Sequence, residues 1–160
     1  MHNARKLLKS DDQDISIGLI FSMIHRTHMI FINDKIKDMD ITAGQIPFLM
    51  VLSREEGITQ DELAAHFHID KGVVARALRK MEDNGYLFRE IDPFNRRRHL
   101  IYLTGKGKNT VPQIIDIDKK WENSMHSQIS KDEYNQVFGV LKKMALNCLE
   151  KVDKNGEKYE

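Results

Sequence analysis

The chain holds one cysteine, Cys148, which excludes an internal disulfide and any zinc or iron–sulfur centre built from several thiolates. That fits a reducing compartment. Long apolar runs are missing as well: the most apolar stretch, Ile15 to Ile32, is interrupted by His25, Arg26 and hydroxyl residues, too broken for a membrane span. The N-terminus lacks the layout of a secretory leader. A cytoplasmic protein that does not engage the membrane is therefore expected. No nucleophile-and-base pair, phosphate-cradling glycine loop or paired-carboxylate pattern stands out, so neither enzyme activity nor a cofactor is expected. Net charge is scarce too, since 25 Lys and Arg against 24 Asp and Glu leave only +1. What is present, 160 residues that are 41% hydrophobic and 31% charged, is the composition of one soluble domain with a sizeable core. There is no internal repeat, and low complexity is confined to the ends, residues 1–12 and 153–160, which are expected to fray.

Near-neutrality conceals a segregation. From residue 71 to 108 ten basic residues stand against four acidic ones, so this segment carries +6 and the remainder −5. Charge acts locally rather than as a sum. A basic run alone is more often a solvated face than a binding surface, so its placement on local structure decides its meaning.

Residues 15 to 36 show a helical pattern apolar on nearly every side, with Ile17, Ile20, Phe21, Ile24, His28, Phe31 and Ile32 in one stripe; such a helix needs cover on more than one face. Thr42 with Gln45, Thr59 with Glu62 and Ser130 with Glu133 are capping boxes, in which a hydroxyl and a carboxylate or amide three residues on satisfy free backbone N–H groups. They predict helices from Ala43 to about Ser53, from Thr59 through Phe67, and from Ser130 on. Asp70 caps a further helix, Lys71 to about Asn84, which Gly85 stops as a left-handed residue. Gly105 to Gly107 reads as a break, with a helix from about Asn109 to Ile129 that holds Pro112 in its first turn. The last helix carries Tyr134, Val137, Phe138, Leu141, Met144, Ala145, Cys148, Leu149 and Val152 on one stripe, which should bury the Cys148 thiol. The terminal helices hold more apolar surface than a small domain can cover, so a homodimer is expected.

Between the Lys71 helix and the Gly105 break, Tyr86 to Ile91 and His99 to Thr104 are aromatic and branched as strands are, and Asp92-Pro93-Phe94-Asn95 is turn-forming. This predicts a β-hairpin with Arg96, Arg97 and Arg98 at its tip, placed to seek phosphates. Helix, turn, helix, hairpin is the order of a winged helix-turn-helix, and the fold class expected is mainly α with a small β-wing. In its second helix Val74, Leu78 and Met81 should pack inward against Leu63, Ala64 and Phe67. The opposite face presents Lys71, Gly72, Ala75, Arg76 and Arg79, with Val73 at its edge: small residues that let a helix lie deep in a major groove, and cations that reach bases or phosphates.

These motifs resemble the MarR family of winged-helix transcription regulators. Asp92-Pro93-Phe94-Asn95-Arg96-Arg97 and Leu103-Thr104-Gly105-Lys106-Gly107 are similar to its D-P-x-D-R-R and L-T-x-x-G; Thr59 to Ala64, Lys71 to Arg76 and Met81 to Leu87 follow its pattern too. Asn95 departs from it, replacing the aspartate that would orient the first wing arginine with an amide; Asp92 or Glu90 could substitute. The resemblance implies a homodimer held by residues 12–38 and 109–152, a DNA-binding lobe over 42–108, and a pseudo-palindromic site on double-stranded DNA. It implies Arg96 first and Arg97 second in the minor groove, with Arg98 on backbone phosphates. It further implies a repressor released by a small anionic aromatic or amphipathic effector in a cleft, for which His25, His28, Met29, Ile46 and Met50 are candidates. The alternatives are a winged-helix protein-interaction module without DNA binding, which has no need of three wing arginines, and a metal-sensing regulator. Against the latter, no adjacent acidic and histidine constellation occurs: His66 and His68 do not share a helical face.

Overall fold

Local chemistry at Thr59 sets the start of a helix in the way its neighbours predict: Glu62 Oε2 accepts from the Thr59 N–H and hydroxyl, both at 2.7 Å, and Thr59 Oγ1 accepts from Glu62 N–H at 3.3 Å. The same reciprocity recurs at Ser130 and Glu133. At Thr42 the Gln45 amide oxygen accepts from the backbone N–H and the hydroxyl, while its NH2 donates to the Ala77 carbonyl at 3.2 Å. That last bond satisfies a buried side chain and ties two elements together.

The computed structural model describes Leu8 and residues 15–156, with side chains as far as Lys151. The rest of the polar tract 1–12, residues 157–160, and the Val152 side chain lie outside the described residues. Two units emerge, one ending at Trp121 and the other beginning at Glu122. The first contains α1 (Ile17–Lys35), a 3-10 turn (Ala43–Gln45), α2 (Ile46–Leu52), β1 (Ile58–Thr59), α3 (Gln60–Phe67), α4 (Lys71–Asp83), β2 (Leu87–Asp92), β3 (Asn95–Leu103) and most of α5 (Gly105–Met125). The second holds the end of α5 and α6 (Lys131–Gly156). The sheet is antiparallel in the order β1-β3-β2. It is a winged helix-turn-helix, mainly helical with a small sheet, as the sequence predicts.

The core gathers Phe48, Leu49 and Leu52 of α2, Leu63 and Ala64 of α3, Val74, Leu78 and Met81 of α4, and Leu87, Ile101 and Leu103 of the wing. The inward face expected of α4 is the buried one. Its C-terminus closes as the sequence suggests: Gly85 adopts φ 73°, Tyr86 N–H reaches back to the Met81 carbonyl and Gly85 N–H to that of Glu82. α3 ends similarly on His68 at φ 50°, a left-handed residue with no glycine to announce it.

Three expectations are corrected. The Gly105 to Gly107 segment does not break the chain; it is the first turn of α5, capped by Thr104, whose hydroxyl accepts from Gly107 N–H at 3.1 Å. Pro112 consequently lies inside the helix, where it removes a backbone donor, and burial of Ile114 and Ile117 on the next two turns offsets that cost of about 3 kcal/mol. β1 is a strand the sequence reading does not contain; it exists because Ile58 and Thr59 pair with Ile101 and Leu100 across a long sequence separation. The third concerns burial. Of α1 only Ile32 is buried, no described side chain of α6 is, and Cys148 is exposed, so the burial expected of its thiol is not met within one copy of the chain.

Candidate nucleic-acid interface

α4 begins at Asp70, whose carboxylate accepts from Gly72 and Val73 N–H at 2.9 and 3.1 Å. On its outer face Lys71, Val73, Arg76 and Arg79 are exposed, with Gly72 and Ala75 half-buried between them. A Cβ at position 72 would stand 3.0 Å from the capping Asp70 carboxylate oxygen, so the glycine leaves room for that cap. Lys71 is paired with Asp61 of α3 at 3.1 Å.

The wing places its arginines differently from the sequence reading. The turn is only Pro93-Phe94, and Arg96, Arg97 and Arg98 belong to β3. Asp92 pairs with Asn95, the next pair is Ile91 with His99, and the three arginines between have no partner on β2. They form an outward bulge, which increases local twist and re-aims side chains. Two side-chain turns brace the apex: Asp92 Oδ1 accepts from Phe94 N–H at 2.8 Å, and Asn95 Oδ1 accepts from Arg97 N–H at 3.1 Å. An amide at position 95 therefore serves as backbone acceptor.

The guanidinium of Arg98 is engaged by two carboxylates, Glu62 on α3 at 3.2 Å and Asp92 at 3.9 Å. Of the ten basic residues between 71 and 108, Lys71, Arg89, Arg98, Lys106 and Lys108 have acidic partners within the unit. Among the described residues Arg76, Arg79, Lys80, Arg96 and Arg97 have none. Arg97 lines a recess of about 500 Å³ at the wing base with Arg89, Arg98, His99 and the first residues of α3. Glu62 is a residue whose second role sequence reasoning missed: its Oε2 is consumed by the cap, and its Oε1 is free to hold the wing. Its carboxyl is held below the usual glutamate range, mainly by the Thr59 hydroxyl and N–H, with Arg98 adding to the effect.

The cleft candidates are dispersed in environment. His25 is exposed; His28 is half-buried, stacked on Trp121 at 5.2 Å with Nε2 3.1 Å from Asp118. Met29, Ile46 and Met50 are half-buried against the core. Among the described residues no three His, Cys, Asp or Glu side chains gather to hold a metal ion, and no helix is long and apolar enough to cross a membrane.

A family model described as the MarR family matches residues 39–98, which span α2 through the wing arginines. The HTH-type transcriptional regulator YybA of Bacillus subtilis is 33% identical over 125 residues, 78% of this chain and 83% of its own length. The crystal structure of a MarR transcriptional regulator from Methanosarcina mazei is 38% identical with TM-score 0.79, covering 84% of this chain and 96% of that one. The S. aureus MepR–DNA complex is 27% identical with TM-score 0.76, covering 84% and 99%. With its capped helix pair, basic α4 and bulged wing, the chain belongs to the MarR family and is a DNA-binding transcription regulator.

Proposed function

We propose that two copies of this chain bind a pseudo-palindromic operator in the cytoplasm as a ligand-responsive repressor. The carrying observation is that four arginines without acidic partners, Arg76 and Arg79 on α4 and Arg96 and Arg97 on the wing, are held on one unit while other cations of the same segment are neutralised within it. In this reading residues 42–108 form the DNA-reading lobe, and residues 12–38 and 109–152 form the dimer. α4 lies in the major groove with Lys71, Gly72, Val73, Ala75, Arg76 and Arg79 toward the duplex. Arg96 and Arg97 approach the minor groove. Arg98 acts chiefly as a brace. That MepR is found in complex with DNA supports the assignment. The exposed apolar residues of α1 and α6, such as Ile24, Val137 and Leu146, support the dimer, because a stable monomer rarely leaves such stripes in water.

The effector in this reading is a small aromatic or amphipathic anion received near His25, Met29 and Met50, with His28 made available by release from Asp118. Selection of bound sequences from random duplex DNA tests the function. A palindromic consensus with half-site centres roughly 10 bp apart is expected. Failure to enrich any sequence, with the protein monomeric in sedimentation, overturns it. Titration of the complex with benzoate as an aromatic carboxylate tests the effector class.

A further inference from the structure

Phe94 is the most exposed of the large hydrophobic side chains described, at 97%. A lone apolar residue on a surface ordinarily calls for no explanation. This one is presented on a braced support. Its own N–H is held by the buried Asp92 carboxylate, Pro93 before it fixes the turn, and Asn95 after it holds Arg97 N–H. Asp92 in turn faces Arg98, which is tied to Glu62 at the start of α3. The ring therefore stands at the end of a chain of contacts that reaches the helical body. Two residues along, Arg96 is exposed and has no acidic partner among the described residues. An apolar ring leading beside a free cation fits a surface with negative rims and an apolar interior. The minor groove has both, in its phosphates and in its sugars and stacked base edges.

We propose that Phe94 enters the minor groove beside Arg96 and wedges against a base step, giving the protein a preference at the outer positions of its site for steps that unstack easily. Pyrimidine–purine steps, TA and CA, are the flexible ones, and inserted apolar side chains kink DNA at such places. Selectivity there arises from the energy of deformation, without a hydrogen bond to a base edge. The proposal rests on the DNA-binding reading above.

The experiment uses the selected operator with its outer steps varied and 2-aminopurine placed beside them. It compares the wild-type dimer with Phe94→Ala, Phe94→Leu and, as a control on the DNA-binding reading, Arg76→Ala. Because the Phe94 side chain touches solvent almost entirely, both Phe94 variants keep the wild-type fold. Phe94→Ala should weaken binding on the order of tenfold, as expected for a Phe side chain withdrawn from water. It should also level the preference for TA and CA over stiffer steps and abolish the 2-aminopurine fluorescence rise seen with wild type. Phe94→Leu should retain most of all three. Binding by Phe94→Ala within twofold of wild type overturns the proposal. So does weakened binding with unchanged fluorescence and step preference, since the ring would then pack without opening a step. A wild type that binds no DNA, or an Arg76→Ala variant that binds as wild type does, instead brings down the DNA-binding reading and this proposal with it.

Discussion

Arg96, Arg97 and Arg98 carry the same side chain on consecutive residues, yet their surroundings separate them: Arg98 is engaged by Glu62 at 3.2 Å, while Arg96 has no acidic partner among the described residues. A charge already paired contributes less to a new partner than one that is free, because the old pair must be given up first. Arg96→Ala and Arg76→Ala should therefore each cost roughly 1–3 kcal/mol of operator binding. Arg98→Ala, which removes a half-exposed ion pair, should cost about 0–1 kcal/mol. Lys120→Ala, whose partner is Asp116 on the same helix, should change nothing. Fluorescence anisotropy titrations at moderate salt rank the four; equal affinity for wild type and both Arg96 and Arg76 variants refutes the interface. Glu62 gives a second prediction at this scale. Its carboxyl is lowered in the folded state by Thr59, so the stability it contributes is complete above the ordinary glutamate pKa and is lost as pH falls through the folded value. Glu62→Gln keeps an acceptor for the cap but does not titrate. Its thermal midpoint should fall less than that of the wild type between about pH 6 and about pH 3. The difference is small because the carboxylate is half exposed, and parallel acid slopes would show that Glu62 has no such role.

At the scale of elements the close approach of α5 to the backbone entering the wing is decisive. A Cβ on Gly107 would collide with the Tyr86 carbonyl oxygen, whereas one on Gly105 meets nothing within 4 Å. Gly107→Ala should destabilise by about 1–3 kcal/mol through overpacking, and Gly105→Ala should be near neutral; comparison of urea midpoints decides, with equal midpoints refuting the packing role. The same turn shows why some of the fold was legible and some was not. Thr59 with Glu62, Ser130 with Glu133, Asp70 and Gly85 act on backbone groups within a few residues, so their chemistry can be read along the chain. Gly107 looks like a breaker from sequence because its reason for being glycine is a carbonyl twenty-one residues upstream. Lys106 beside it likewise looks like one more cation, yet it donates to the Asn84 carbonyl at 2.9 Å and lies over the Tyr86 ring. β1 escapes notice for the same cause, since two residues have no periodicity and only Ile101 and Leu100 make them a strand. In the wing the composition pointed to a hairpin with arginines. The bulge that sets their aim depends on register, which a run of three like residues leaves undefined.

At the scale of the whole molecule, net charge and assembly can be read from one measurement. The chain is almost neutral, so a sum of charges predicts weak dependence of DNA binding on salt. The local account predicts the reverse. Arg76, Arg79, Arg96 and Arg97 displace about four counterions per protomer, and at about 0.9 per phosphate a dimer gives a log–log slope on the order of −7. α6 supplies the means of varying the assembly without touching these arginines. Its Leu141 is on the apolar stripe and accessible in the single chain, so Leu141→Lys leaves the DNA-binding lobe intact while placing a charge in the proposed dimer contact. An isolated ammonium in an apolar contact is expensive enough to dissociate it. The variant should sediment as a monomer, bind the operator far more weakly, and show a slope of about −4, half that of the wild type. Cys148, exposed in the single chain and on the same stripe, provides an independent reading: its thiol should react slowly with a disulfide reagent in the wild-type dimer and fast in the variant. A wild-type slope near zero would make the basic segment a solvated face. A dimeric Leu141→Lys with wild-type slope and thiol reactivity would move the dimer contact off α6.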